Sequence, residues 1–118
     1  MAESGNIKAY LACGATDLRN SINGLTAKVQ GKYEMNPFDE GKVYVFCNKN
    51  RTNMKIIEWE NNGFWLYQKR LERGRFHWPN EEGTEMMELT PEEFTVLLEG
   101  TKLVQKIKRK QLSPKHAF

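Results

Sequence analysis

Residues 54–79 read Met-Lys-Ile-Ile-Glu-Trp-Glu-Asn-Asn-Gly-Phe-Trp-Leu-Tyr-Gln-Lys-Arg-Leu-Glu-Arg-Gly-Arg-Phe-His-Trp-Pro. Asn61-Asn62-Gly63 is a hairpin signal, because Asn-Gly supplies the positive φ angles of a tight turn. Met54 to Glu60 is then the entering strand and Phe64 to Leu71 the returning one. Gly74 breaks the second strand. Arg75 to Trp78 continues as a short further strand or extended segment, closed by Pro79. Within 64–79, five of the sixteen residues are aromatic and four are Lys or Arg. Such interleaving fits an antiparallel strand pair with one buried face. It also fits a surface that meets a polyanion with planar bases.

On the N-terminal side, Val43 to Cys47 is a continuous apolar, β-rich run and predicts a central strand. The polar stretch Asn48 to Asn53 turns the chain into the hairpin. Ile7 to Ala12 is a short strand ended by Gly14. Leu18, Ile22, Leu25 and Val29 recur at helical spacing, so an amphipathic helix is expected over about 18–30, with Asp17 as its N-cap and Gly31 as its stop. Gly24 inside it costs about 1 kcal/mol against Ala and points to close packing on the sheet. On the C-terminal side, Glu85 to Leu89 is a weak strand signal. Thr90-Pro91-Glu92-Glu93 is a capping box with Pro at the first helical position. That helix runs to about Glu99, with Phe94, Leu97 and Leu98 inward and Gly100 as its end. Residues 102–112 have the spacing of a further short helix.

These elements define an α+β domain: a mainly antiparallel meander of four to six strands, with two helices packed on one face. At 118 residues the chain has room for one domain. Residues 1–104 are assigned to it and 105–118 to a basic C-terminal tail. No apolar run approaches the ~20 residues of a membrane span, and the N-terminus lacks the basic head and apolar core of a signal peptide. No membrane association and a cytoplasmic location are expected. Cys13 and Cys47 flank apolar runs and are read as buried free thiols. With His77 and His116 they give no zinc-ligand spacing, so no metal or other cofactor is expected.

The net charge of +3 hides a strong segregation. Residues 41–79 carry eight basic and three acidic groups, residues 80–100 seven acidic and none basic, and residues 101–118 six basic and none acidic. Two basic blocks fit nucleic acid or an acidic partner, while the acidic block between them can neutralise one of them within the fold. Catalytic candidates are weak. His77 alternates with Phe76 and Trp78 as a strand histidine does. Glu92 and Glu93 are explained by a helix N-terminus, where negative charge is favoured. No phosphate-binding glycine loop is present.

The binding candidates are Lys49, Arg51 and Lys55 on the turn and first hairpin strand, and Lys69, Arg70, Arg73 and Arg75 on or after the second. A turn at Asn62-Gly63 sets Lys69 near Lys55, where unneutralised like charges repel and a phosphate backbone relieves them. A solvated sheet face whose lysine and arginine stems cover apolar surface is the alternative. Trp65 and Tyr67 alternate with Phe64 and Leu66, so one pair faces the core. If Trp65 and Tyr67 point outward, they stack on unpaired bases or anchor a protein interface.

Three blocks carry a resemblance: Thr16-Asp17-Leu18-Arg19-Asn20-Ser21-Ile22-Asn23-Gly24-Leu25, Val45-Phe46-Cys47-Asn48-Lys49-Asn50-Arg51, and Gly63 to Phe76 of the hairpin. Together with Leu97-Leu98-Glu99-Gly100, they resemble the TnpB accessory-protein family of insertion-sequence-66 transposable elements, across roughly residues 7–100. This family is distinct from the RNA-guided nucleases of the same name. The resemblance implies a small bacterial protein encoded within a mobile element, with strand-transfer chemistry left to a separate, larger transposase. It supplies no catalytic residues. The expectation is a non-enzymatic transposition accessory that contacts DNA, such as element ends, through the basic, aromatic sheet face. The alternative is an adaptor that joins the transposase or another element-encoded protein without touching DNA. Asp17 and Arg19, both in the first block, are expected to pair with each other or to contact a ligand.

Overall fold

The computed structural model describes residues 7–80, 83 and 85–100. The expected tail at 105–118 and the short helix over 102–112 lie outside these residues. Five strands form one sheet: β1 (Lys8–Leu11), β2 (Lys42–Cys47), β3 (Asn53–Glu60), β4 (Gly63–Arg70) and β5 (Met87–Leu89). Helix α1 (Ile22–Gln30) joins β1 to β2, and α2 (Pro91–Glu99) follows β5. The spatial order is β4-β3-β2-β1-β5. All neighbours are antiparallel except β1 and β2, which run parallel because a helix carries the chain back between them. The α+β class and the mainly antiparallel sheet are as expected. Arg75 to Trp78 forms no strand.

The helices differ from expectation, since they pack on opposite faces of the sheet. Val43, Val45 and Cys47 of β2 join Phe94 and Leu97 of α2 in one apolar cluster. Tyr44 and Phe46 join Leu25 and Val29 of α1 in another. The reason lies in β2. All five residues from Val43 to Cys47 are fully buried, and a strand apolar on both faces needs cover on both. With both helices on one face, Tyr44 and Phe46 would stand in water. Each fully buried aliphatic or aromatic side chain of this kind stabilises the fold by about 1.5–3 kcal/mol.

Helix α2 starts as predicted. The Thr90 hydroxyl accepts from the Glu93 amide at 3.0 Å, and the Glu93 carboxylate accepts from the Thr90 amide at 2.8 Å. Gly100 ends the helix in the left-handed region, at φ 72°. Helix α1 starts later than expected, after Ser21, which makes no side-chain cap. Asp17 does not cap it, because its carboxylate is held by Arg19. Leu18 still packs with the α1-side cluster, from the loop before the helix. Gly24 makes its close approach to Asn20 and not to the sheet: a Cβ there would lie 2.5 Å from the Asn20 Cβ.

The hairpin turns through Asn61 and Asn62, with Glu60 opposite Gly63 and Asn61 at φ 58°. The turn therefore sits one residue earlier than the Asn-Gly signal implies. This register pairs Lys55 with Gln68 and Lys69 with Met54. Opposed residues share a face and successive ones alternate, so Lys55 and Lys69 lie on opposite faces. The repulsion expected between them does not arise.

Candidate nucleic-acid interface

The registers place Leu11, Cys47, Asn53 and Arg70 at one end of the sheet. The connections at 12–21, 48–52 and 71–80 all emerge there, and backbone hydrogen bonds weave them together. The Thr16 amide donates to Cys47 O at 2.8 Å, Gly14 to Pro79 O at 2.8 Å, Leu71 to Thr52 O at 2.9 Å and Phe76 to Arg51 O at 2.7 Å. The buried Trp78 indole donates to Ala12 O at 2.9 Å. Arg51 sits at the crossing. Its guanidinium donates to Gly14 O at 3.0 Å and to the Asn80 side chain at 2.6 Å. It thereby ties all three connections together from a left-handed backbone, φ 64°.

Beside this knot lies a groove of about 600 Å³ lined by Asp17, Arg19, Lys49, Asn50, Lys55 and Gln68, among others. It sits at the carboxyl ends of the parallel pair β1 and β2, where ligands of open α/β sheets commonly bind. One wall is the 16–20 loop, and the ammonium of Lys55 holds it by donating to Leu18 O at 2.5 Å. Arg19 grips Asp17 through Nε and Nη2, the shortest contact being 2.7 Å. Hydrogen bonds from the Arg19 side chain, and then from its backbone amide, draw the Asp17 carboxyl down to about 2. The expected internal pair is thus present, and it stands at the solvent.

The expected binding residues do not form one face. Lys49, Arg73 and Arg75 are exposed on the loops of the knotted end, with no partner among the described residues. Arg51 and Lys55 reach the same end but are engaged in structural bonds to main-chain carbonyls. Arg70 is exposed and paired with Glu72 at 2.9 Å. Trp65, Tyr67 and Lys69 lie on the α2 side, with Glu58 opposite Trp65. The Lys69 ammonium donates to Leu98 O, near the end of α2. Tyr67 is half-buried and donates to Glu58 at 3.0 Å. Burial first, and then that bond, push its phenol up to about 12. Only Trp65 of the two aromatics is freely exposed, at 53 %. It stacks on Tyr67, and its indole donates to Glu60 at 2.6 Å.

Arg19 was expected here or in a pair with Asp17, but Asn50 and Gln68 in the groove were not singled out from the sequence. The signal available was the amide-rich turn Asn48-Lys49-Asn50-Arg51-Thr52-Asn53, whose polar residues exceed what a turn alone requires. Asn48 meets the turn's needs, since its side-chain oxygen accepts from Thr52 and Asn53. Asn50 has no such task among the described residues. His77 is exposed, as its alternation predicted. Cys13 and Cys47 form no disulfide, Cys47 being buried and Cys13 half-buried.

The geometry thus defines a small α+β protein whose loops gather basic and amide side chains at one sheet end. The family described as "IS66 Orf2 like protein" matches residues 7–108, and the chain belongs to this family of insertion-sequence accessory proteins. The match runs past Gly100, where the resemblance read from the sequence stopped. The chain is similar to "Uncharacterized protein y4hO" of Sinorhizobium fredii (strain NBRC 101917 / NGR234), at 37 % identity over 101 residues, covering 85 % of this chain and 86 % of the relative. "Uncharacterized protein y4jC" of the same strain is 32 % identical over 98 residues, covering 82 % and 81 %. No solved structure matches the chain at a significant level. Among the described residues, no helix is long and apolar enough to cross a membrane.

Proposed function

We propose that this protein is a non-catalytic accessory factor of insertion-sequence transposition that contacts DNA through the knotted loop end of its sheet. One observation carries the proposal: Lys49, Arg73 and Arg75 are exposed there with no partner among the described residues, beside a groove that also holds Arg19 and Lys55. Basic side chains on mutually braced loops suit phosphate contacts, which position a protein on DNA without reading sequence. The amides of Asn50 and Gln68, unengaged among the described residues, offer donors and acceptors toward sugar or base edges. Trp65 and Tyr67 lie outside this surface, so base stacking has no part in the reading. Element ends are the natural DNA substrate, and the transposase supplies the strand transfer.

A mobility-shift titration with duplex DNA of the element ends, at two salt concentrations, tests this. Lys49→Ala, Arg73→Ala and Arg75→Ala are each expected to weaken binding alike across sequences, and to reduce the salt slope by about 1. The absence of any shift at low salt sinks the reading.

A second reading, an adaptor without DNA contact, draws on the other end of the sheet. There Phe38, 46 % exposed, packs edge-on to Trp59 at 5.1 Å, with Phe64 completing the cluster. Co-purification with the transposase that is lost in Phe38→Ala, with no DNA shift, favours this reading over the first.

A further inference from the structure

Strand β4 is an edge. It pairs with β3, and among the described residues no strand pairs with its other side. The opposite edge, β5, has only three residues, whereas β4 has eight. An open edge of that length is a template for another strand.

The hairpin fixes which amides are free. In an antiparallel ladder, hydrogen-bonded pairs alternate with non-bonded ones. Glu60 and Gly63 close a two-residue loop, and Leu71 donates to Thr52 O in the same series. The odd-numbered residues of β4 therefore face β3. Phe64, Leu66, Gln68 and Arg70 turn their main-chain groups outward.

The side chains are graded along the same strand. Phe64 and Trp65 stand in its first half, Tyr67 just past its middle, and Lys69 and Arg70 end it. A second copy of β4, antiparallel and centred on Tyr67, uses all four outward residues as hydrogen-bonded pairs. That register sets Trp65 opposite Lys69 and Phe64 opposite Arg70 of the other copy. Phe64 and Trp65 then each meet a cation, Tyr67 meets Tyr67, and the like charges of the two copies stay at opposite ends. Moving the two-fold axis two residues toward the C-terminus, to Lys69, brings Lys69 against Lys69, which repels. We propose that the partner of this edge is a second copy of this chain, joined β4 to β4 about a two-fold axis at Tyr67 into one continuous sheet.

Sedimentation velocity on the full chain, from low to high micromolar concentration, reads the mass directly. The expected species is a dimer at twice the 13.8 kDa chain mass. Gln68→Pro removes one outward N–H, leaves the β3 ladder intact and yields a monomer with unchanged circular dichroism. Tyr67→Cys under mild oxidation cross-links to a covalent dimer, since a non-bonded antiparallel pair stands within disulfide reach. Trp65→Cys, facing Lys69 of the other copy, does not cross-link. If Gln68→Pro fails to fold, the contrast between the two cysteine variants decides alone. A monomer at every concentration overturns the proposal and leaves the edge to a strand of another protein. So does a dimer that keeps its mass in folded Gln68→Pro, or one that cross-links equally through both cysteines.

Discussion

Arg51 shows how little a basic residue's charge says about its task. By composition it belongs with Lys49, two positions away in the same turn. Lys49 points to solvent, while Arg51 reaches Gly14 O and the Asn80 side chain and braces three connections. The difference is geometric. A planar guanidinium satisfies two acceptors at once, which an ammonium does less well. Truncation leaves the buried Gly14 carbonyl short of a donor and removes hydrogen bonds from a charged group, each worth about 1.5–3 kcal/mol. Arg51→Ala is therefore expected to lower the unfolding free energy by about 2–3 kcal/mol in urea titration. Lys49→Ala should stay within about 0.5 kcal/mol of the parent. Equal effects of the two substitutions would remove the structural role assigned to Arg51. The same distinction bears on the proposed DNA binding: a weaker shift by Arg51→Ala would report damaged loops, whereas Lys49, Arg73 and Arg75 would report contact.

At the scale of elements, capping chemistry is local and was therefore legible. Thr90 and Glu93 satisfy each other across a single turn, so the sequence alone placed the start of α2. Thr90→Ala should cost about 1 kcal/mol, measured by thermal or urea unfolding. A loss below about 0.3 kcal/mol would mean that tertiary packing and not the cap holds this helix end. The hairpin was legible for the same reason, down to its Asn turn. Its register was not, because Asn61-Asn62 and Asn62-Gly63 both satisfy turn chemistry, and one residue of slip exchanges the faces. That slip put Lys55 and Lys69 together on paper and on opposite faces in the fold. The start of α1 was misread because Asp17 had two uses, as cap or as partner of Arg19, and the neighbouring guanidinium took it. The run Val43 to Cys47 did carry the sidedness of the helices, since an unbroken apolar strand demands two covers. The groove was largely illegible. Its walls come from segments about 30 and 50 residues apart in sequence, brought together by the parallel pairing of β1 with β2 and the antiparallel pairings of β2, β3 and β4.

On the scale of the whole molecule, the strands act as a spacer between two chemically different ends. The knotted end carries Arg19, Lys49, Lys55, Arg73 and Arg75. The other end carries the aromatic cluster around Phe38 together with Glu40 and Glu60, and Glu40 accepts from the Asn61 amide at 3.2 Å. The eight residues of β3 separate these ends by about 27 Å, roughly three Debye lengths at physiological salt. Charges at the far end are therefore screened from a polyanion bound at the near one, and net charge matters less than its location. Glu40→Gln with Glu60→Gln raises the net charge as much as Lys49→Ala with Arg73→Ala lowers it. If binding follows overall charge, the two double variants change DNA affinity in opposite directions by similar factors. If binding follows the knotted end, the glutamine variant keeps the parent's salt slope while the alanine variant loses about 2 from it. Affinities measured by fluorescence anisotropy across a salt series separate the two outcomes. A glutamine variant that steepens the slope as much as the alanine variant flattens it would place the contact elsewhere than the knotted end.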